Sequence, residues 1–84
     1  MTRIAKLYAA IIADSNASFS YREFERLLLA FGFEHKRISG SHRIFSHPLV
    51  PHNLSIQPRG GEAKSDQLRQ FLDIVTEYGL ELRD

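Results

Sequence analysis

The sequence predicts an α+β domain, a three-stranded antiparallel sheet with helices packed against one face. Three observations predict it. Apolar residues recur at helical spacing in three stretches, around residues 4–11, 24–31 and 68–75. Between the second and third stretches that period vanishes, and short runs punctuated by glycine and proline replace it. The connections between those runs are too short for a parallel crossover, so neighbouring strands run antiparallel.

Ile4, Leu7, Tyr8 and Ile11 share one helical face and place the first helix at about Arg3 to Ala13, ended by the turn formers Asp14, Ser15 and Asn16. The second helix opens on a capping box, Ser20 with Glu23 three residues on, flanked by Phe19 and Phe24 at the positions of a hydrophobic staple. Phe24, Leu27, Leu28 and Phe31 line its apolar face. Gly32 takes the left-handed position after its end, and Phe33 folds back on Leu28. Strands follow at about Phe33 to Ile38, His42 to His47 and Asn53 to Gln57. Ser39-Gly40-Ser41 turns tightly between the first two, and "HPLVPH" forms a longer loop before the third, because its prolines cannot donate to a ladder. After "PRGGEAK", Ser65 is the expected N-cap of a last helix with Asp66 in its first turn, apolar face Leu68, Phe71, Leu72 and Val75, and Gly79 as its stop. Packing the last two helices on one sheet face leaves the other open.

At 84 residues the chain has room for one domain, 1–84. With 43% apolar and 25% charged residues, five glycines and three prolines, it is a folding sequence rather than a disordered one. It has no cysteine, which excludes disulfides and thiolate metal sites and suits a reducing, cytoplasmic compartment. Lys6, Tyr8 and Asp14 interrupt the N-terminal apolar run before it reaches the ~20 residues of a membrane span, and no signal-peptide pattern follows.

Net charge is only +1, but it is unevenly spread. Between Glu34 and Lys64 lie five basic residues, Lys36, Arg37, Arg43, Arg59 and Lys64, against Glu34 and Glu62. All four histidines, His35, His42, His47 and His52, fall in the same segment, which makes it the candidate anion-binding face. His42 follows the Gly-Ser turn and opens a strand, so its imidazole stands on a rigid element beside a hairpin tip. A lone imidazole over RNA can move the proton of a 2′-hydroxyl attacking the neighbouring phosphodiester, with Arg37, Arg43 or Lys64 holding the phosphate. No metal is needed. An even, two-residue turn, the commonest hairpin connection and the one expected here, puts His42 on the face opposite Phe45 and Ile38, together with Ile44, Arg37 and His35; an odd turn puts it beside Ile38 and Ile44.

His42, His47 and His52 recur every five residues, but without an HExxH pair or a cysteine they do not make a zinc motif. "PRGGEAKSD" sets glycines before a helix start, as a phosphate cradle does, yet lacks the Walker A pattern; the plain alternative is a turn that needs glycine.

"FERLLLAFGFEHKRISGSHRIFSHP", "LSIQPRGGEAK" and "LRQFLDIVTEYGL", in that order, resemble the HicA family of toxins from toxin–antitoxin pairs. The resemblance covers about residues 19–80 and leaves the helix at 3–13 as an addition that caps the core or meets an antitoxin or a second copy. It implies a fold similar to double-stranded-RNA-binding domains and a metal-independent endoribonuclease that cleaves mRNA, an mRNA interferase. No cofactor is implied. It makes His42 the catalytic residue, with Lys36, Arg37, Gly40, Ser41, Arg43, Arg59 and Lys64 as the candidate RNA-binding set, and it implies a HicB-like antitoxin as protein partner. Many members carry a second histidine after the first, where this chain has Arg43. The candidate partners for His42 in proton transfer are His35, His47 and Ser41. The competing reading is a non-catalytic RNA-binding or protein-interaction module on the same scaffold.

Overall fold

A computed structural model describes residues 3–14 and 19–82. The order is α1 (Ile4–Ala13), β1 (Phe19–Ser20), α2 (Tyr21–Ala30), β2 (Glu34–Ser39), β3 (His42–His47), β4 (Val50–Ile56), β5 (Glu62–Ala63) and α3 (Ser65–Tyr78). The predicted α+β architecture is present: β2, β3 and β4 form an antiparallel sheet in that order, consistent with the fold of double-stranded-RNA-binding domains. A second ladder joins β1 to β5. The Ser15-Asn16 part of the predicted first-helix stop lies outside the described residues.

Capping fixes α2. The Ser20 Oγ accepts the Glu23 backbone N–H at 3.1 Å and donates to the Glu23 carboxylate at 3.2 Å. At its other end the Phe33 N–H bonds the Leu28 carbonyl and the Gly32 N–H that of Leu29, the paired bonds of a Schellman ending. That ending turns the chain directly into β2.

The core lies between the sheet and the helices. Phe45, Leu54 and Ile56 from the sheet meet Phe24, Leu27 and Leu28 of α2 and Leu68 and Phe71 of α3, all essentially inaccessible. Phe71 is the hub: Phe24 and Phe31 pack edge-to-face against it at 5.6 and 5.2 Å, the geometry aromatic quadrupoles favour. From α1, Leu7 and Ile11 are buried, and Tyr8 meets Phe31 edge-on at 4.9 Å, so α1 covers one side of this aromatic cluster.

Two local features depart from expectation, and a third takes the plain alternative, a turn that needs glycine. The β3–β4 connection is a tight turn rather than a long loop, with His47 opposite Val50, and β4 starts at Val50 with Pro51 inside it. Pro51 is tolerated because β4 is an edge strand, where a missing N–H need cost no ladder bond. The N-cap of α3 is Lys64 rather than Ser65, since Ala63 is still held in the ladder opposite Phe19 and helical geometry begins at Ser65. Finally, the glycine-rich stretch is a two-residue hairpin: Arg59 and Glu62 exchange both backbone hydrogen bonds, at 2.9 and 3.0 Å, around Gly60 and Gly61. Both glycines have positive φ, and a Cβ would meet nothing within 4 Å at either, so conformation and not space requires glycine there.

Candidate active site

The Gly40-Ser41 turn decides which way His42 points. Ser39 lies directly opposite His42, leaving two residues between the strands, and Gly40 takes the left-handed conformation that such a turn needs. With that parity Arg43, Phe45 and His47 face the helices. His42 and Ile44 face outward, with Arg37 opposite Ile44 on β2 and Ser55 opposite it on β4. Neither α2 nor α3 covers this outer face, and His42 is exposed on it.

The His42 Nδ1 lies 3.0 Å from the Ser55 Oγ. Among the described residues, nothing in the core uses this imidazole. The neighbouring hydroxyl, Ser41, instead accepts a hydrogen bond from the Gln57 Nε2 at 3.2 Å, which ties the hairpin tip to the end of β4.

The other histidines are placed elsewhere. A bulge at Lys36 breaks the alternation of β2, so His35 lies opposite Phe45 and stacks on its ring at 4.9 Å instead of sharing the outer face with His42. The buried His47, 6% exposed, is a structural link: its Nδ1 accepts the Leu49 N–H, which leaves the proton on Nε2 to be donated to the Phe31 carbonyl, both at 3.0 Å. His47 thereby locks the β3–β4 turn onto the end of α2. His52 packs near Tyr78 of α3.

The basic residues divide into three sets. Arg37 shares the outer face with His42. Lys36 lies near the far end of β2, beside Ser46 and Pro48, in an exposed 3.6 Å ion pair with Glu34 that contributes little stability. Arg43 turns to the helix side, where its guanidinium sits 4.7 Å above the ring of Tyr21. There it lines a groove of about 530 Å³ with Ser20, Tyr21, Arg22, Ser41, Pro58 and Gly61. That groove brings the hairpin tip and the glycine-rich turn together, with Arg59 on the rim-forming turn and Lys64 at the start of α3. The Tyr21 N–H bonds the Gly61 carbonyl at 2.8 Å, and its hydroxyl donates to Glu25 at 3.1 Å. Burial, reinforced by the Glu25 carboxylate, pushes Tyr21 ionisation up to about 12, with Arg43 acting in the opposite sense.

The model of the HicA toxin of bacterial toxin–antitoxin pairs matches residues 21–75, from the first residue of α2 to the last turn of α3. The chain belongs to the HicA toxin family. It is therefore the toxin side of a toxin–antitoxin pair. No curated protein and no solved structure matches the chain. In this HicA toxin, α1 falls outside the matched segment, whereas the Gly-Ser-His turn, the outer face and every groove residue but Ser20 fall inside it.

Sequence reasoning missed Ser55 and the Tyr21–Arg43 contact. A signal for Ser55 was available: it stands between two apolar residues, Leu54 and Ile56, so strand alternation sends it outward, to the side that an even hairpin turn gives His42.

Proposed function

We propose that this HicA toxin is a metal-independent endoribonuclease acting on mRNA, with His42 as its general acid–base. One observation supports this reading above the others: an imidazole the fold does not need stands exposed on the uncovered sheet face, at the rigid end of a hairpin, with Arg37 on the same face. In the proposed reaction the substrate's 2′-hydroxyl attacks the adjacent phosphorus while the His42 Nε2 takes its proton. The new P–O2′ bond forms as the P–O5′ bond breaks, and the His42 imidazolium returns its Nε2 proton to the departing 5′-oxygen, leaving a 2′,3′-cyclic phosphate, a 5′-hydroxyl and a neutral imidazole. Arg37 is placed to offset the charge that develops on the phosphoryl oxygens. Arg43, Arg59 and Lys64, with Gly40 and Ser41 shaping the tip, extend the cationic track for the RNA backbone toward the groove, and Lys36 adds charge at the far end of β2. The protein partner is a HicB-like antitoxin, and the compartment of action is the cytoplasm, where mRNA is translated.

The test is cleavage of RNA in EDTA by the purified toxin. His42→Ala is expected to lower the rate about 10²- to 10⁴-fold while remaining folded. A folded alanine variant of equal activity overturns the assignment, and RNA binding with no His42-dependent cleavage favours the binding-module reading instead.

A further inference from the structure

The geometry points to Ser55 as the positioning residue for His42, holding the imidazole with its proton on Nδ1 so that Nε2 is the nitrogen that exchanges protons with RNA. The inference rests on the ribonuclease reading and deepens it. His42 is the first residue of β3, next to a turn, and it needs a brace from one side. Ser55 supplies that brace from inside β4, at 3.0 Å from Nδ1. Its own position is set by the ladder, Ile44 opposite Ser55 and Phe45 opposite the buried Leu54. The other groups weighed for proton transfer are engaged elsewhere: the Ser41 hydroxyl accepts from Gln57, His35 stacks on Phe45, and His47 bonds Phe31 and Leu49.

A serine hydroxyl can either donate or accept. The chemistry selects between them. When Nδ1–H donates to the Ser55 Oγ, the bond survives protonation of Nε2, because the imidazolium keeps the same Nδ1–H. When the hydroxyl donates to Nδ1, an Nε2 that already carries the proton cannot accept another. Only the first arrangement lets Nε2 take a proton from a 2′-hydroxyl and release it without the ring turning or the brace breaking. Ser55 is exposed, so the core places no demand on its hydroxyl.

The test uses the full chain with ¹⁵N-labelled histidine. Imidazole nitrogen shifts, recorded with the ring neutral, are expected to show the Nδ1–H form for His42 in the native protein and in Ser55→Thr. In Ser55→Ala they should move toward the Nε2–H form that free imidazole side chains favour. In parallel, Ser55→Ala is expected to lower kcat for RNA cleavage about tenfold with KM unchanged, and Ser55→Thr to restore it within about twofold. A His42 tautomer that ignores the Ser55 substitutions overturns the positioning role, even if His42-dependent cleavage is intact. The converse pattern, a Ser55-dependent tautomer in a protein that does not cleave RNA, sustains the positioning and overturns the ribonuclease reading.

Discussion

Replacing Tyr21 with phenylalanine removes one hydroxyl from the junction of α2 and the hairpin tip and leaves the ring under Arg43 in place. The folded protein holds that phenol at a pKa of about 12, against 10.0 for an ordinary tyrosine. A raised folded-state value means that the native state retains a proton the unfolded chain gives up. Its contribution is therefore complete below about pH 10 and is lost as pH rises through 12. At 1.36 kcal/mol per pK unit, the ceiling is about 2.7 kcal/mol, of which about half is lost by pH 11. Tyr21 is only 8% exposed, but it lines the open groove, where solvent screening lowers the realised figure to about 1–2 kcal/mol. Below pH 10, Tyr21→Phe should be the less stable protein by about 1 kcal/mol, the net value of the bond to Glu25. Urea unfolding of both proteins from about pH 8 to 11 should show that gap shrinking by about 0.5–1 kcal/mol. Taking the difference removes the other titrations, including that of Tyr78, whose ionisation is also pushed up by its hydrogen bond to Glu77. A gap that stays constant across this range refutes the reasoning.

Two further outcomes follow from the same contacts. His47→Ala leaves the buried Phe31 carbonyl and the half-buried Leu49 N–H without their partner and removes a buried ring, which should cost about 2–4 kcal/mol in urea unfolding; a loss below about 1 kcal/mol contradicts the structural role of that histidine. Arg43→His installs the second histidine common in the family, but on the helix side of β3, so it should cost about 0.5–1 kcal/mol of lost cation–π contact and leave RNA cleavage no faster; a tenfold gain in rate or a new inflection in the pH profile contradicts this placement.

Much of this geometry was legible in the sequence, where the cause is local. Ser20, Gly32 and Phe33 mark the ends of α2 because caps satisfy backbone groups within four residues of themselves. The two-residue turn at Gly40 was readable for the same reason, and from it the outward direction of His42. What stayed hidden depends on partners distant along the chain. The β1–β5 ladder joins two-residue segments about 40 positions apart, too short for a periodic pattern to announce them. The bulge at Lys36 is fixed by how β2 fits β3, and it moves His35 to the other face without any change in composition. Pro51 reads as a loop residue until the strand order makes β4 an edge. Ser55 acquires its meaning only when β3 and β4 are brought into register.

The parity of the Gly40-Ser41 turn also shapes how this toxin tolerates mutation. Strand alternation means that the number of residues in the turn, more than their identity, determines which side chain meets the outside. With two residues, the exposed imidazole and the guanidinium that clamps Tyr21 point opposite ways, and one hairpin both presents and anchors. One inserted residue that kept β2 in register with the shifted β3 would exchange the two, sending the imidazole toward α2 and the guanidinium outward, with every residue of the motif still present. The element under constraint at the hairpin tip is thus a count, and a substitution scan that never changes length would not detect it.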